Sequence, residues 1–140
     1  MTKLSLIGVA GAFLFLLSPV IAWADPCEGA LPRRAGETFA GEVRYIGDGD
    51  SLCVGQADNP NTWIEVRLAD FNSPELQTPA GPAAKAALER IAMGRTAQCV
   101  AGGGRSRRVV SYDRVIAVCR IGGRRIGDLM REAGIEEGGR

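Results

Sequence analysis

The feature that most limits the fold of this chain is a series of short apolar runs broken once by a helical spacing. The stretch 39–46 has Phe39, Val43 and Tyr45 at odd positions and predicts a strand. Residues 51–54 predict a second, joined to the first as a hairpin through the Gly47-Asp48-Gly49-Asp50 turn. After the polar loop 56–61, residues 62–69 alternate as a third strand, with Ile64, Val66 and Leu68 on one side and Arg67 on the other. Gly81-Pro82 then opens a helix. Ala84, Ala87, Leu88 and Ile91 follow at helical spacing, and Gly94 supplies a left-handed terminator. Residues 96–101 and 115–121 predict two more strands, separated by the Gly/Arg-rich stretch 102–111, and a short helix over 126–133 stops at Gly134. The order β-β-β-α-β-β-α predicts a mainly β, α+β domain. Its expected form is a closed five-stranded Greek-key barrel of the OB type, with one helix between strands 3 and 4 and a short C-terminal helix.

Ahead of this domain, Lys3 precedes an uncharged apolar run over 4–21. Ala22-Trp23-Ala24 then has the small-x-small form of a signal-peptidase site, with polar Asp25 behind it. Residues 1–24 therefore predict a cleaved signal peptide. The alternative is an uncleaved anchor, since the run approaches the roughly 20 residues a membrane span needs. Residues 25–37, rich in Pro, Gly and charge, read as an irregular lead-in to the domain at 38–140. Four cysteines, Cys27, Cys53, Cys99 and Cys119, in an exported chain predict two disulfides and a secreted or periplasmic location. Sequence alone allows three pairings. Zinc is disfavoured because no C-x-x-C pair and no histidine exist to complete a site.

The absence of histidine reaches further, excluding Ser-His-Asp and Cys-His nucleophiles and a histidine general base. Chemistry must come from Asp, Glu, Arg, Lys, Tyr, Cys or a bound metal. Without Lys3 the chain carries 16 basic and 16 acidic residues, but unevenly. Residues 95–125 hold eight Arg against Asp113 alone, a candidate anion-binding face, and the planar Arg fork matches phosphate or carboxylate bidentately.

Three segments carry the chemistry: Asp48-Gly49-Asp50-Ser51 at the first hairpin turn, Arg67 through Ser73-Pro74-Glu75 after the third strand, and Tyr112-Asp113-Arg114 entering the fifth. As ordinary structure, Asp48 and Asp50 would shape a turn and Arg67 would pair with Glu65 or Glu75. Phosphodiester hydrolysis, however, asks for these residue types. Charge growing on phosphate oxygens must be neutralised, a water placed and a departing alkoxide stabilised. Two Arg forks and a divalent cation supply the first, and a carboxylate within about 3 Å of the water supplies the second without histidine. All-oxygen donors suit a hard cation such as Ca²⁺.

Taken in order, and with the Gly81-Pro82 helix start, these segments resemble the staphylococcal nuclease (thermonuclease) family over residues 38–134. The resemblance implies a staphylococcal-nuclease-like barrel and Ca²⁺-dependent hydrolysis of DNA and RNA. It puts Asp50 in the place of the carboxylate metal ligand, Asn72 where the family has a second ligand Asp, and Ser73 where a Thr offers its backbone carbonyl. Asp48 matches an acidic neighbour of the metal. Glu75 matches the glutamate assigned to activating the attacking water, Arg67 and Arg114 the two arginines that grip the scissile phosphate, and Tyr112 an aromatic beside the nucleotide phosphate. It also implies a Cys99–Cys119 disulfide between neighbouring strands, which leaves Cys27 for Cys53.

Asn72 departs from the family pattern. An amide oxygen coordinates Ca²⁺ without bringing charge, so weaker metal binding is expected. Asp70, two residues earlier, would point the same way and partly compensate if the strand stays extended. The tyrosines that follow the last helix in the family have no counterpart before Arg140. Stacking on aromatics contributes about 1–3 kcal/mol per base, so reduced grip is expected. The expected function is a monomeric, calcium-dependent endonuclease that cuts single-stranded or frayed DNA or RNA with little sequence specificity. The competing expectation is a catalytically weakened module of the same fold that binds a polyanion. Nucleic acid or an acidic exopolysaccharide would serve, for example in an accessory role in exopolysaccharide production.

Overall fold

The computed structural model describes residues 25–56 and 58–138, and the expected signal peptide at 1–24 lies outside the described residues. The strands are β1 (Thr38–Ile46), β2 (Ser51–Gly55), β3 (Ile64–Leu68), β4 (Thr96–Ala101), β5 (Val110–Ser111), β6 (Arg114–Ile121) and β7 (Arg124–Arg125). Helix α1 spans Gly81–Ala92 and α2 spans Ile126–Glu132. β1 pairs with β2 and β4, β2 with β3, and β4 with β6, all antiparallel; a parallel β3–β6 pairing closes the circuit. The architecture is a closed five-stranded mixed barrel of OB-like α+β type, with β5 and β7 as two-residue additions to β6.

The alternation in β3 works as its sequence implies: Val66 and Leu68 are fully buried, and Arg67 between them points off the core. The expected third strand is shorter at its start, because Pro60–Thr62 forms a 3-10 turn capped by the Asn59 side chain. In β1 the strict odd-number alternation fails. The register shifts between Val43 and Tyr45, so Val43 and Ile46 are buried and Tyr45 only half so. The stretch 102–111 is more than a connection, since its last two residues fold back on β6 as a hairpin with Tyr112 and Asp113 at its tip. Gly122 and Gly123, both with positive φ, turn the chain into β7, a Gly-Gly hairpin signal that the sequence carries.

Helix α1 buries Ala84, Ala87, Leu88 and Ala92 and packs against β1 and α2. It ends where Gly94 takes φ +73°. Burial of Leu88 contributes about 1.5–3 kcal/mol, and truncating it to Ala would cost about 2–5 kcal/mol. Both implied disulfides are formed. Cys99 and Cys119 face each other across β4 and β6 with Cα atoms 4.1 Å apart, and Cys27–Cys53 ties the lead-in to β2. Two disulfides fit an oxidising compartment. No helix among the described residues is long and apolar enough to cross a membrane.

Candidate active site

The Gly-Asp-Gly-Asp turn is built by its own side chains. Asp48 Oδ1 accepts from the Asp50 N–H at 3.0 Å and the Ser51 hydroxyl at 2.7 Å, the local bonding that makes Asp a turn residue. Gly49 is required by close approach, because a Cβ there would stand 2.1 Å from Ser73 Oγ and 2.8 Å from the Ala84 Cβ. The turn is tied to the end of β3 by the Leu68 N–H, which donates to the Asp50 carbonyl at 2.8 Å. These bonds set Asp50, only 6% exposed, against the 69–75 loop, where its Oδ2 accepts from the Ser73 N–H at 2.7 Å.

Arg67 reaches the same place from β3. Nη1 donates to the carbonyls of Leu68 and Phe71, the latter at 2.7 Å. Nη2 donates to Asn72 Oδ1 at 2.8 Å and lies 3.2 Å from Asp50 Oδ2. Its ion-pair partner is thus Asp50, neither Glu65 nor Glu75. Glu65 instead faces Arg114, with Oε1 4.0 Å from Nε. Arg114 makes no other ion pair among the described residues, so most of its fork is free.

Asp48, Asp50, Arg67, Asn72, Ser73, Glu75 and Arg114 all line one pocket of about 730 Å³. Glu75 is exposed at its rim, and its carboxylate has no ion-pair partner among the described residues. Tyr112 is not part of the lining; it stands 93% exposed at the hairpin tip with φ +58°. Asp70 also stays out. β3 ends at Leu68, the chain bends, and the Asp70 carboxyl turns beneath α2, where a Cβ on Gly127 would stand 2.6 Å from it. The extended strand that would aim Asp70 at the pocket is therefore not there, and neither of its carboxyl oxygens has a hydrogen-bond partner.

Burial pushes the Asp50 carboxyl up to about 6; Arg67 opposes this and the neighbouring Asp48 charge adds to it. Asp48 feels burial too, but hydrogen bonds from Asp50 and Ser51, with help from Arg114, outweigh it and hold its carboxyl below the ordinary value.

The C-terminal segment forms a wall of the pocket that the motifs do not announce. Gly134 takes φ +80°, its N–H donates to the Arg131 carbonyl and the Ile135 N–H to the Met130 carbonyl, a Schellman turn with Ile135 packed on the core. The chain is thereby sent back across the 72–74 loop. Asn72 Nδ2 donates to the Gly138 carbonyl at 2.7 Å, the Gly138 N–H to the Asn72 carbonyl at 2.8 Å, and the Asn72 N–H to Glu137 Oε1 at 2.8 Å. Gly138 lies so close over Ser73 that a Cβ would stand 2.8 Å from its carbonyl oxygen. The sequence signal for this return is the Gly134-Ile135 pair, a terminator followed by an apolar residue.

A second acidic group lies off the pocket. One carboxylate oxygen each from Asp25, Glu65 and Asp113 fall within 4.8 Å of one another. Burial, with Asp25 and Asp113 adding to it against Arg114, pushes the Glu65 carboxyl up to about 7. The Cys27–Cys53 disulfide and the Glu28 and Gly29 N–H groups, which donate to the Pro60 and Trp63 carbonyls, bring Asp25 there, which local patterning cannot reveal. Comparison of the chain with protein-family models and with curated proteins finds no match.

Proposed function

We propose that the protein is an exported nuclease that hydrolyses phosphodiester bonds of DNA or RNA with Ca²⁺, by the chemistry of the staphylococcal nuclease family. The observation that carries this reading is the gathering of two acids, two arginines and an unpaired glutamate around one pocket, from stretches as far apart as Asp48 and Arg114. Asp48 and Asp50 fit a hard divalent cation, being adjacent all-oxygen donors whose mutual repulsion a cation would relieve. Asn72 and Ser73 would add an amide and a carbonyl oxygen. Bound there, Ca²⁺ would neutralise charge developing on the phosphate oxygens.

The chain's own residues supply the rest. Arg67 is held by two backbone carbonyls, and the freer Arg114 fork grips the phosphate bidentately. Glu75 takes the proton of the attacking water as its oxygen bonds to phosphorus. The phosphorus–oxygen bond to the leaving sugar breaks, the departing sugar oxygen takes a proton from solvent water, and the arginines stabilise the charge that spreads over the phosphate in between. Among the described residues Tyr112 is the one fully exposed aromatic, so base identity has little to read it.

A second reading, a binding module for nucleic acid or an acidic polysaccharide, is favoured by one observation. Asn72 Oδ1 is engaged by Arg67, and the Ser73 carbonyl lies under Gly138. A zymogram on DNA and RNA, with Ca²⁺ and with chelator, separates the two. Cleavage that needs Ca²⁺ and falls about 10²-fold or more in Glu75→Ser and in Arg114→Ala supports the enzyme. Cleavage indifferent to chelator or to both substitutions overturns it, and salt-sensitive retention on DNA without products supports the module.

A further inference from the structure

Arg105, Arg107 and Arg108 crowd one turn that lies against β6, where a Cβ on Gly104 would stand 3.0 Å from Ile116 Cγ2 and 3.9 Å from the Ala69 Cβ, and have no ion-pair partner among the described residues. All three are exposed, and among the described residues none makes an ion pair or a side-chain hydrogen bond, whereas Arg44, Arg67, Arg124 and Arg125 all do. The turn is held in an uncommon shape. Gly102 and Gly103 have positive φ, and so does Arg107 at +56°, a conformation that an arginine adopts only against a steric penalty. Its base is stitched to β6, because the Gly102 N–H donates to the Ile116 carbonyl and the Ile116 N–H to the Val109 carbonyl. Ser111 then pairs with Arg114. Three residues of chain reach at most about 10 Å, so the Arg108 backbone lies within about that distance of Ser111, which faces Arg114.

The pocket itself carries the opposite charge away from its arginines. Glu75, Glu136 and Glu137 line it and are exposed. A polymer of phosphates seated at Arg114 would meet carboxylates toward the C-terminal segment and three unpaired guanidiniums toward the 103–108 turn. We infer that the 103–108 turn is the surface along which the backbone of single-stranded nucleic acid runs on leaving the pocket past Arg114. This rests on the proposed nucleic-acid substrate and adds to it a direction and a second contact region. The contact is to the backbone, so it raises affinity for long strands without reading sequence.

The test uses a labelled 20-nucleotide oligo-dT in chelator, its affinity measured from 50 to 200 mM NaCl for the wild type, the Arg105→Ala/Arg107→Ala/Arg108→Ala variant and the corresponding triple Lys variant. Each phosphate contact contributes about 0.7 to the slope of log affinity against log salt for single strands. The triple Ala variant is expected to lose about 2 from the slope and to bind about tenfold or more weakly at low salt, and the Lys variant to restore the slope. A dinucleotide probe, which cannot span to the turn, is expected to bind the wild type and the Ala variant alike. Equal slopes for wild type and Ala variant overturn the inference, as does wild-type binding to alginate but not to oligo-dT. Because binding is read without cleavage, a protein that holds oligo-dT through this turn yet never cuts it would sink the nuclease reading and leave this one standing.

Discussion

The Asn72 side chain accepts from Arg67 Nη2 at 2.8 Å with its oxygen and donates to the Gly138 carbonyl at 2.7 Å with its nitrogen. Only an amide does both, since a carboxylate has no hydrogen to give. Asn72→Asp therefore exchanges one function for another. It should bind Ca²⁺ more tightly than the wild type in isothermal titration, because it adds a charge beside Asp50. It should also free the 135–138 segment, with faster amide exchange at Gly138 and a loss of about 1–2 kcal/mol in stability. Unchanged exchange at Gly138 would show that the amide clamp is not what holds the segment.

The two arginines should separate in their effects on folding. Arg67 serves four acceptors, and its loss would leave the buried Asp50 without its cation, at about 2–4 kcal/mol in a denaturant melt of Arg67→Ala. Arg114 has one ion pair at 4.0 Å, so Arg114→Ala should lose under about 1 kcal/mol while both variants lose cleavage. Similar midpoints for the two would mean that Arg67 is not a framework residue.

Much of this arrangement is legible in the chain because it is local. Val66 and Leu68 flanking Arg67 announce a strand with an outward arginine, and Gly81-Pro82 with Gly94 brackets α1 by backbone chemistry alone. What escapes is set by partners distant in sequence. Arg44 is the extra residue that turns Tyr45 from the core, and it is identified only by pairing with β2. Asp70 lies under α2 because the chain bends after β3 and Arg131, on α2, donates to the Asp70 carbonyl. Glu137 meets Asn72 only because a Schellman turn redirects the tail. None of these leaves a periodicity to read.

Glu65 predicts an unusual pH dependence. Its folded value of about 7 lies above the ordinary 4.5, so between those limits the native protein keeps a proton that the unfolded chain has released. Its contribution to stability is therefore full below about pH 4.5, falls as the pH rises toward 7, and is flat above. Wild type minus Glu65→Gln, compared by denaturant melts from pH 4.5 to 8, isolates this term from the other carboxyls. The difference should shift by about 1–3 kcal/mol against the wild type over that window. A flat difference would remove Glu65 from the account.

The Cys27–Cys53 disulfide should act on that same titration, which Cys99–Cys119 should not. The two close loops of similar length, 26 and 20 residues apart in sequence, so replacing either pair with serine is expected to lower stability by a similar amount, about 3 kcal/mol. They differ in what they hold. Cys27 fixes the lead-in that sets the Asp25 carboxylate beside Glu65, and Asp25 is one of the charges that raise the Glu65 value. Opening that bridge lets Asp25 move away, the Glu65 carboxyl falls toward its ordinary range, and the pH-dependent loss of stability shrinks. The Cys99→Ser/Cys119→Ser variant leaves Asp25 in place and should keep the full dependence on a lower baseline. Side-chain carboxyl titration by NMR in the two double-serine variants checks this directly, and equal Glu65 midpoints in both would show that the lead-in stays docked without its disulfide.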